Sequence, residues 1–103
     1  MDEQLVLVVS LWLRDGDVPG FEEFERQAAR LMARHGGRIE RAIRRSAGAG
    51  SPDDPFEVHI VTFPTPAAFA AYRADPDTSL LAPLRETLIA RTMIVAGHDV
   101  EGY

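Results

Sequence analysis

Apolar residues dominate both faces of the first predicted strand. Residues 4–14 contain LVLVVSLWLR, in which every second side chain points to the same side of an extended chain. One side holds Leu5, Leu7, Val9, Leu11 and Leu13, and the other holds Val6, Val8, Ser10, Trp12 and Arg14. A strand that is apolar on both faces is typical of the centre of a sheet.

A helix is predicted to follow directly. Asp15-Gly16-Asp17 forms a turn, Asp17 is a suitable N-cap, and Pro19 fits the first helical turn. Apolar side chains then recur at helical spacing, at Phe21, Phe24, Ala28, Leu31 and Met32. Gly36-Gly37 ends the helix.

The next two strands differ in polarity. Residues 38–45, RIERAIRR, alternate Ile39 and Ile43 with charged positions, so we predict a strand at the edge of the sheet. Residues 46–55, SAGAGSPDDP, form a flexible connection that is too short for a helix. Residues 56–63, FEVHIVTF, are predicted to be the third strand.

The end of the chain repeats the strand and helix pattern. Thr65 caps a second helix with Pro66 at its first position, and Pro83 prevents one unbroken helix between Leu80 and Ile89. Residues 91–98, RTMIVAGH, are predicted to be the last strand. The order βαββαβ indicates an α+β fold with a ferredoxin-like, four-stranded antiparallel sheet.

Such a sheet carries its helices on one face only. We expect the other face to hold Val6, Val8 and Trp12 from the first strand and Val61 and Phe63 from the third. An apolar patch of that size is rarely exposed on a small monomer. A second copy of the chain is the simplest cover, so a homodimer is predicted.

Length, cysteine content and charge limit the number of domains and the classes of partner. The chain has 103 residues and no cysteine, which predicts one domain, residues 1–103, without disulfides or thiol chemistry. With 11 basic and 16 acidic residues the net charge is −5, which argues against nucleic acid or an anionic membrane as partner. Neither a signal peptide nor an 18-residue apolar run is present, so we expect a cytoplasmic protein.

Four segments carry a family resemblance. HGGRIERAIRR, FEVHIVTFP, the helix with AAYRADP, and LAPLRE before a last strand ending at Gly97 resemble the small uncharacterised-domain branch of the dimeric α+β barrel superfamily. That superfamily includes antibiotic-biosynthesis monooxygenase-like, muconolactone isomerase-like and haem-degrading proteins. The resemblance implies a barrel of two sheets, with a ligand cavity either between sheet and helices or inside the barrel. DPDTSLLAPLR lacks the Tyr that often precedes Pro-Leu-Arg in the pattern, so no role of that Tyr is transferred.

The main candidate for chemistry is His59, in the third strand. Glu57 lies two residues earlier and therefore on the same face, where the two side chains can pair. A histidine oriented by a carboxylate is suited to act as a general base. The alternative is a structural histidine that is hydrogen-bonded at the dimer interface.

A candidate pocket is predicted on the strand face opposite the leucines. Ser10, Trp12 and Arg14 share that face, and we expect it to continue to His59 and Phe63 on the neighbouring strand. Such a cavity would suit a small hydrophobic or acidic metabolite. The alternative is that Trp12 and Phe63 fill the dimer core and that Arg14 lies in solvent.

The remaining candidates are isolated. Arg85 is a candidate ligand-carboxylate clamp, and the alternative is a surface arginine that pairs with Asp75, Asp77 or Glu86. His35 is predicted to cap the first helix, and His98 to be solvated. No metal-ligand spacing and no nucleotide-binding motif is present in the sequence, so neither a metal nor a cofactor is expected.

Two classes of function remain open. The first is a small-molecule-binding dimer without assigned chemistry. The second is a cofactor-independent monooxygenase, isomerase or cyclase that acts on an aromatic or polyketide-like metabolite, with His59 as the base. A structure in which His59 borders a pocket, with Glu57 in hydrogen-bonding reach, would favour the enzyme.

Overall fold

The computed structural model describes residues 4–48 and 50–103. Its elements follow the order β1 (Leu5–Leu13), α1 (Val18–Arg34), β2 (Arg38–Arg44), β3 (Glu57–Phe63), α2 (Pro66–Ala74), α3 (Pro76–Ser79), α4 (Ala82–Leu88) and β4 (Ile89–Gly97). Residues 1–3 of the predicted domain and Ala49 of the predicted connection lie outside the described residues.

The four strands form one antiparallel sheet in the order β2-β3-β1-β4. The predicted ferredoxin-like α+β fold is therefore confirmed, with β1 in the centre and β2 at an edge. β4 begins at Ile89, two residues before the predicted start, because Ile89 pairs with Leu13 across a register shift between Trp12 and Leu13. No helix within the described residues is both long enough and apolar enough to cross a membrane.

The predicted helix boundaries follow from local chemistry. The Asp17 carboxylate accepts a hydrogen bond from the Gly20 N–H at 2.9 Å, and the Thr65 hydroxyl accepts one from the Ala68 N–H at 3.0 Å. These bonds satisfy backbone donors that a helix start leaves unpaired. Helix α1 ends before Gly36, whose φ of 76° lies in the left-handed region that favours glycine.

Strand register assigns each side chain to one of two faces, because directly paired residues point to the same side. On the face that carries the helices, called the helix-side face, Leu7 pairs with Val61 and Val9 pairs with His59. The other face, called the open face, includes Val6, Val8, Ser10, Val58, Ile60, Met93 and Val95.

The prediction that Val61 and Phe63 lie on the open face is wrong. Phe63 pairs with Leu5, and both Phe63 and Val61 are almost fully buried beneath the helices. The open face is apolar nonetheless, through other residues. Met93 and Val95 on β4 are 45% and 58% exposed there.

The core lies between the helix-side face and the helices. One cluster joins β1 to α1, α4 and the start of β4, and it consists of Leu11, Phe21, Phe24, Leu88 and Ile89. A second joins Leu7, Val61 and Phe63 to side chains of α1 and α2. The two clusters surround the candidate site.

Candidate functional site

His59 and Glu57 form a buried pair on β3. The His59 Nε2 lies 2.7 Å from the Glu57 Oε1, and the His59 side chain is only 3% exposed. Both side chains point to the helix-side face because they are two residues apart on one strand. The predicted contact is confirmed, while the catalytic role remains a prediction.

Glu57 also contacts a cation on the side away from His59. The Arg44 Nε donates to the Glu57 Oε2 at 2.7 Å, and the Arg44 Nη2 lies 3.1 Å from the Glu22 Oε2. The hydrogen bond to Glu57 raises the pKa of Arg44. Glu57 is thus fixed between a guanidinium and an imidazole, and this arrangement orients the His59 ring.

The second nitrogen of His59 lies near another carboxyl group. The Glu25 Oε1 on α1 is 3.8 Å from the His59 Nδ1, and the Glu25 side chain is 15% exposed. Burial raises the pKa of Glu25, and Glu57 adds to this effect, whereas His59 and Arg85 oppose it. Glu25 was not among the predicted site residues, although its spacing of four from Phe21 and three from Ala28 places it on the buried stripe of the helix.

A cavity of about 640 Å³ lies between the helices and the helix-side face, and His59 and Glu25 are on its wall. Most of the wall is apolar, and it includes Leu7, Val9, Leu11, Phe24, Ala28, Met32, Val61, Phe63, Phe69, Leu81 and Ile94. Polar groups reach the cavity from the helices and β4, at Tyr72, Arg73, Thr78, Ser79, Arg85 and Thr92. A mainly apolar cavity with a few polar groups is typical of small-molecule sites.

Arg85 lines this cavity from α4. Its Nη2 donates a hydrogen bond to the Thr92 Oγ1 on β4. The alternative interpretation, a surface arginine paired with Asp75, Asp77 or Glu86, is wrong, because Arg85 points between the helix and the sheet. The role of ligand clamp remains a prediction.

Tyr72 on α2 is a further cavity residue, which was not among the predicted site residues. Its ring centroid lies 5.6 Å from that of Phe63 and 6.4 Å from that of Phe69. Burial raises the pKa of the Tyr72 hydroxyl, and the charge of Glu25 adds to the effect. Tyr72 therefore stays a neutral phenol that can donate a hydrogen bond.

The prediction that Ser10, Trp12 and Arg14 share a pocket with His59 is wrong. Ser10 pairs with Val58, whereas His59 pairs with Val9, so Ser10 and His59 point to opposite faces. Of the four residues predicted to form this pocket with His59, Phe63 lies with it on the cavity wall. The other three are Ser10, Trp12 and Arg14. The error arises from a one-residue difference in strand register, because such a difference moves every side chain of a strand to the opposite face of the sheet.

Trp12 and Arg14 have structural contacts instead. The Trp12 Nε1 donates to the Asp53 carbonyl at 2.9 Å, and the Arg91 guanidinium lies 4.5 Å from the Trp12 ring centroid. The Arg14 Nε donates to the Glu86 carbonyl at 2.9 Å, near the end of α4. These contacts attach the loop after β2, strand β4 and helix α4 to the end of β1.

The other two histidines lie away from the cavity wall. His35 is the C-cap residue of α1, as predicted, and its Nε2 lies 2.9 Å from the Asp75 Oδ2. The hydrogen bond from His35 lowers the pKa of Asp75, and the backbone N–H of Asp77 contributes further. His98 follows β4 and is exposed, as expected.

No family model matches the sequence, and no curated protein is significantly similar to it. Solved structures are similar in fold. A protein of unknown function from Rhodopseudomonas palustris, RPA0582, is 15% identical, with 99% of this chain and 86% of that chain covered and a TM-score of 0.79. SnoaB, a cofactor-independent oxygenase from Streptomyces nogalater, is 18% identical, with 97% and 96% covered and a TM-score of 0.73.

A third similar structure is At3g17210 from Arabidopsis thaliana. It is 16% identical, with 96% of this chain and 98% of that chain covered and a TM-score of 0.74. At such identities the similarity shows a shared fold. It agrees with the ferredoxin-like α+β fold of the chain.

Proposed function

We propose that this protein binds a small, mainly apolar metabolite in the helix-side cavity and removes a proton from it with His59. One observation carries the proposal: His59 is on the cavity wall while its Nε2 lies 2.7 Å from Glu57. This is the arrangement of a general base held by an orienting carboxylate. The cavity volume of about 640 Å³ lies within the usual range for small-molecule sites.

The position of Glu57 assigns a role to each nitrogen of His59. Glu57 accepts a hydrogen bond from Arg44, so it is best satisfied as a carboxylate that accepts a second bond from the His59 Nε2–H. The lone pair of the neutral imidazole is then on Nδ1. Nδ1 lies toward Glu25, which is itself a cavity residue, and can accept a proton from a bound ligand.

The side chains of the cavity wall favour one class of ligand. Apolar side chains suit a flat carbon skeleton, and Arg85 supplies a guanidinium for a carbonyl, phenolate or carboxylate oxygen. Oxygenation, isomerisation and cyclisation of such compounds can each begin with removal of a proton next to a carbonyl. The fold shared with SnoaB, described as a cofactor-independent oxygenase, is compatible with this chemistry.

A solvent-exchange assay tests the proposal. β-Tetralone is a small aromatic ketone with an acidic C–H bond. When that proton is removed in D₂O, deuterium enters the ketone, and NMR detects its incorporation. The protein should accelerate exchange, and His59→Gln should lower the rate roughly 100-fold or more. His98→Gln, at an exposed histidine, is the matched control and should leave the rate unchanged.

The opposite result identifies a binding protein without chemistry. If β-tetralone or its enol analogue β-naphthol binds but His59→Gln leaves exchange unchanged, His59 is not the base. The cavity would then serve ligand binding alone.

We also propose that two copies of the chain pair through their open faces. Val8 on β1, Ile60 on β3 and Val95 on β4 lie side by side there, in register. Such a row is costly to leave in water, and an identical apolar face covers it symmetrically. Sedimentation at micromolar concentration should give twice the mass of the chain, and a monomer would contradict the pairing.

A further inference from the structure

Proton removal by His59 and Glu57 leaves the carboxyl group of Glu25 without a role. Glu25 lies on the inward side of α1, reaches the cavity wall and is 3.8 Å from the His59 Nδ1. A glutamate on a buried helix stripe replaces an apolar side chain at a cost in stability. That cost calls for a functional explanation.

The two glutamates beside His59 have different electrostatic surroundings. Glu57 has the Arg44 guanidinium at 2.7 Å, whereas the ion pair of Glu25 in the described chain is the long one with His59. The charged groups that act on Glu25 are His59 and Glu57 on β3 and Arg85 on α4, and the charge of Glu25 acts in turn on the Tyr72 hydroxyl on α2. Burial is the largest influence and raises the pKa of Glu25, so this carboxyl group retains its proton to higher pH than an exposed one.

We propose that Glu25 is the general acid of the site, which returns a proton to the ligand after His59 has removed one. This inference rests on the proposed function. The substrates are then small cyclic β,γ-unsaturated ketones. The reaction moves their double bond into conjugation with the carbonyl group. Migration of a double bond needs both a base and an acid, because one carbon loses a proton and another gains one.

The proton and electron balance is complete without a co-reactant. His59 Nδ1 takes the proton from the carbon between the carbonyl and the double bond, and the C–H electrons enter the dienolate. Glu25 donates its proton to the far carbon of the former double bond, where a new C–H bond forms as the carbonyl is restored. The imidazolium then returns its proton to the Glu25 carboxylate, and both groups regain their starting states.

The geometry suits this transfer. The two exchanged carbons are separated by one atom and so lie about 2.5 Å apart. The His59 Nδ1 and the Glu25 Oε1 are 3.8 Å apart, so both can reach one face of the same ligand. Arg85, which lines the same cavity, can bind the oxygen of the dienolate.

Cyclohex-3-enone in D₂O separates the two steps, because NMR detects deuterium at the carbon beside the carbonyl and formation of the conjugated ketone independently. The wild-type protein should show both. Glu25→Gln should keep deuterium entry within a few-fold and lower isomerisation roughly 100-fold. His59→Gln should lose both, and Glu23→Gln, at an exposed glutamate of the same helix, should lose neither.

The inference is overturned if Glu25→Gln lowers the rates of deuterium entry and isomerisation equally, or if it lowers neither rate. The carboxyl ¹³C shifts of Glu25 and Glu23 during a pH titration give a second readout that needs no ligand. Glu25 should titrate at higher pH than Glu23, and equal or lower titration overturns the inference alone. Wild-type protein that catalyses neither step, with Glu25 titrating high, contradicts the proposed function instead.

Discussion

The helix-side face and the open face of the sheet come from the same strands but have different contents. The helix-side face holds the buried His59–Glu57 pair and the wall of a cavity of about 640 Å³. The open face presents a shallow apolar surface in which Val95 is 58% exposed. Side chains that are adjacent in sequence, such as His59 and Ile60, therefore belong to different environments.

This difference shows how a chain of 103 residues has room for both the proposed site and the proposed interface, on opposite faces of one sheet. A buried polar pair needs neighbours on every side, and the helices supply them on one face. No helix of the described residues covers the open face, so it is available for the proposed pairing of two copies. Substitutions on the two faces should accordingly have different effects.

The largest expected effect is on stability, at Phe63 of the helix-side face. Phe63 is 1% exposed and packs against the rings of Phe69 and Tyr72. Phe63→Ala should lower the free energy of unfolding by about 3–5 kcal/mol, because it leaves a cavity in the core. Urea unfolding measures this change.

The control for Phe63 is an exposed side chain outside the proposed interface. Leu84→Ala on α4 should cost less than about 1 kcal/mol, because its side chain is 40% exposed. Equal costs at the two positions would show that the Phe63 side chain does not pack in the core.

A charge in the middle of the open face should break the dimer. Val8 lies between Ile60 and Val95, and Val8→Asp should weaken association at least about 100-fold, or about 2.7 kcal/mol. Sedimentation should show the mass halved. Leu84→Asp, at an exposed position on α4, should leave the mass unchanged. Persistence of the Val8→Asp dimer would place the interface elsewhere.

Two hydrogen-bonded carboxylates, the buried Glu57 and the partly exposed Glu40, allow a comparison of chemistry across the faces. Glu57 accepts from His59 on the helix side, whereas Glu40 accepts from the Thr62 hydroxyl, which belongs to the open side. Glu57→Gln should slow deuterium exchange of β-tetralone roughly 10- to 100-fold, as part of the general-base contribution. Glu40→Gln should not slow it, and equal losses would indicate a structural effect.

The smallest expected effect is the pH dependence caused by Glu25. The pKa of Glu25 in the folded protein is raised above the ordinary value of 4.5. Its contribution to stability is therefore complete at low pH and is lost as pH rises through the raised value. Glu25→Gln should unfold at higher urea concentration than the wild type above that pH, and the advantage should shrink in acid.

Glu23 provides the control, because its side chain is about half exposed. Glu23→Gln should retain the pH profile of the wild type. A Glu25→Gln profile that runs parallel to the wild type would show that burial does not affect this carboxyl group.

Most of the fold could be predicted because its signals are local. The caps at Asp17 and Thr65, the glycines after α1 and the apolar strands each depend on a few neighbouring residues. The pairing of His59 with Glu57 was equally predictable, because their spacing of two puts them on one strand face.

The composition of the site could not be predicted fully because it depends on register and tertiary packing. Alternation tells which residues of one strand share a face, but a one-residue offset decides which residues of the next strand join them. That offset separated Ser10 and Trp12 from His59. Glu25 reaches the cavity through the packing of α1 against the sheet, which no short sequence motif indicates.

The most direct test of the helix-side cavity as the ligand site is to locate the position of a bound ligand. β-Naphthol is planar and matches the enol of β-tetralone, so it should occupy the cavity beside His59. In methyl-labelled protein, NMR signals of Ala28 and Met32, both on the cavity wall, should shift on titration, while those of Val8 and Val95 stay in place. Shifts confined to Val8 and Val95, or none at millimolar β-naphthol, would contradict this account.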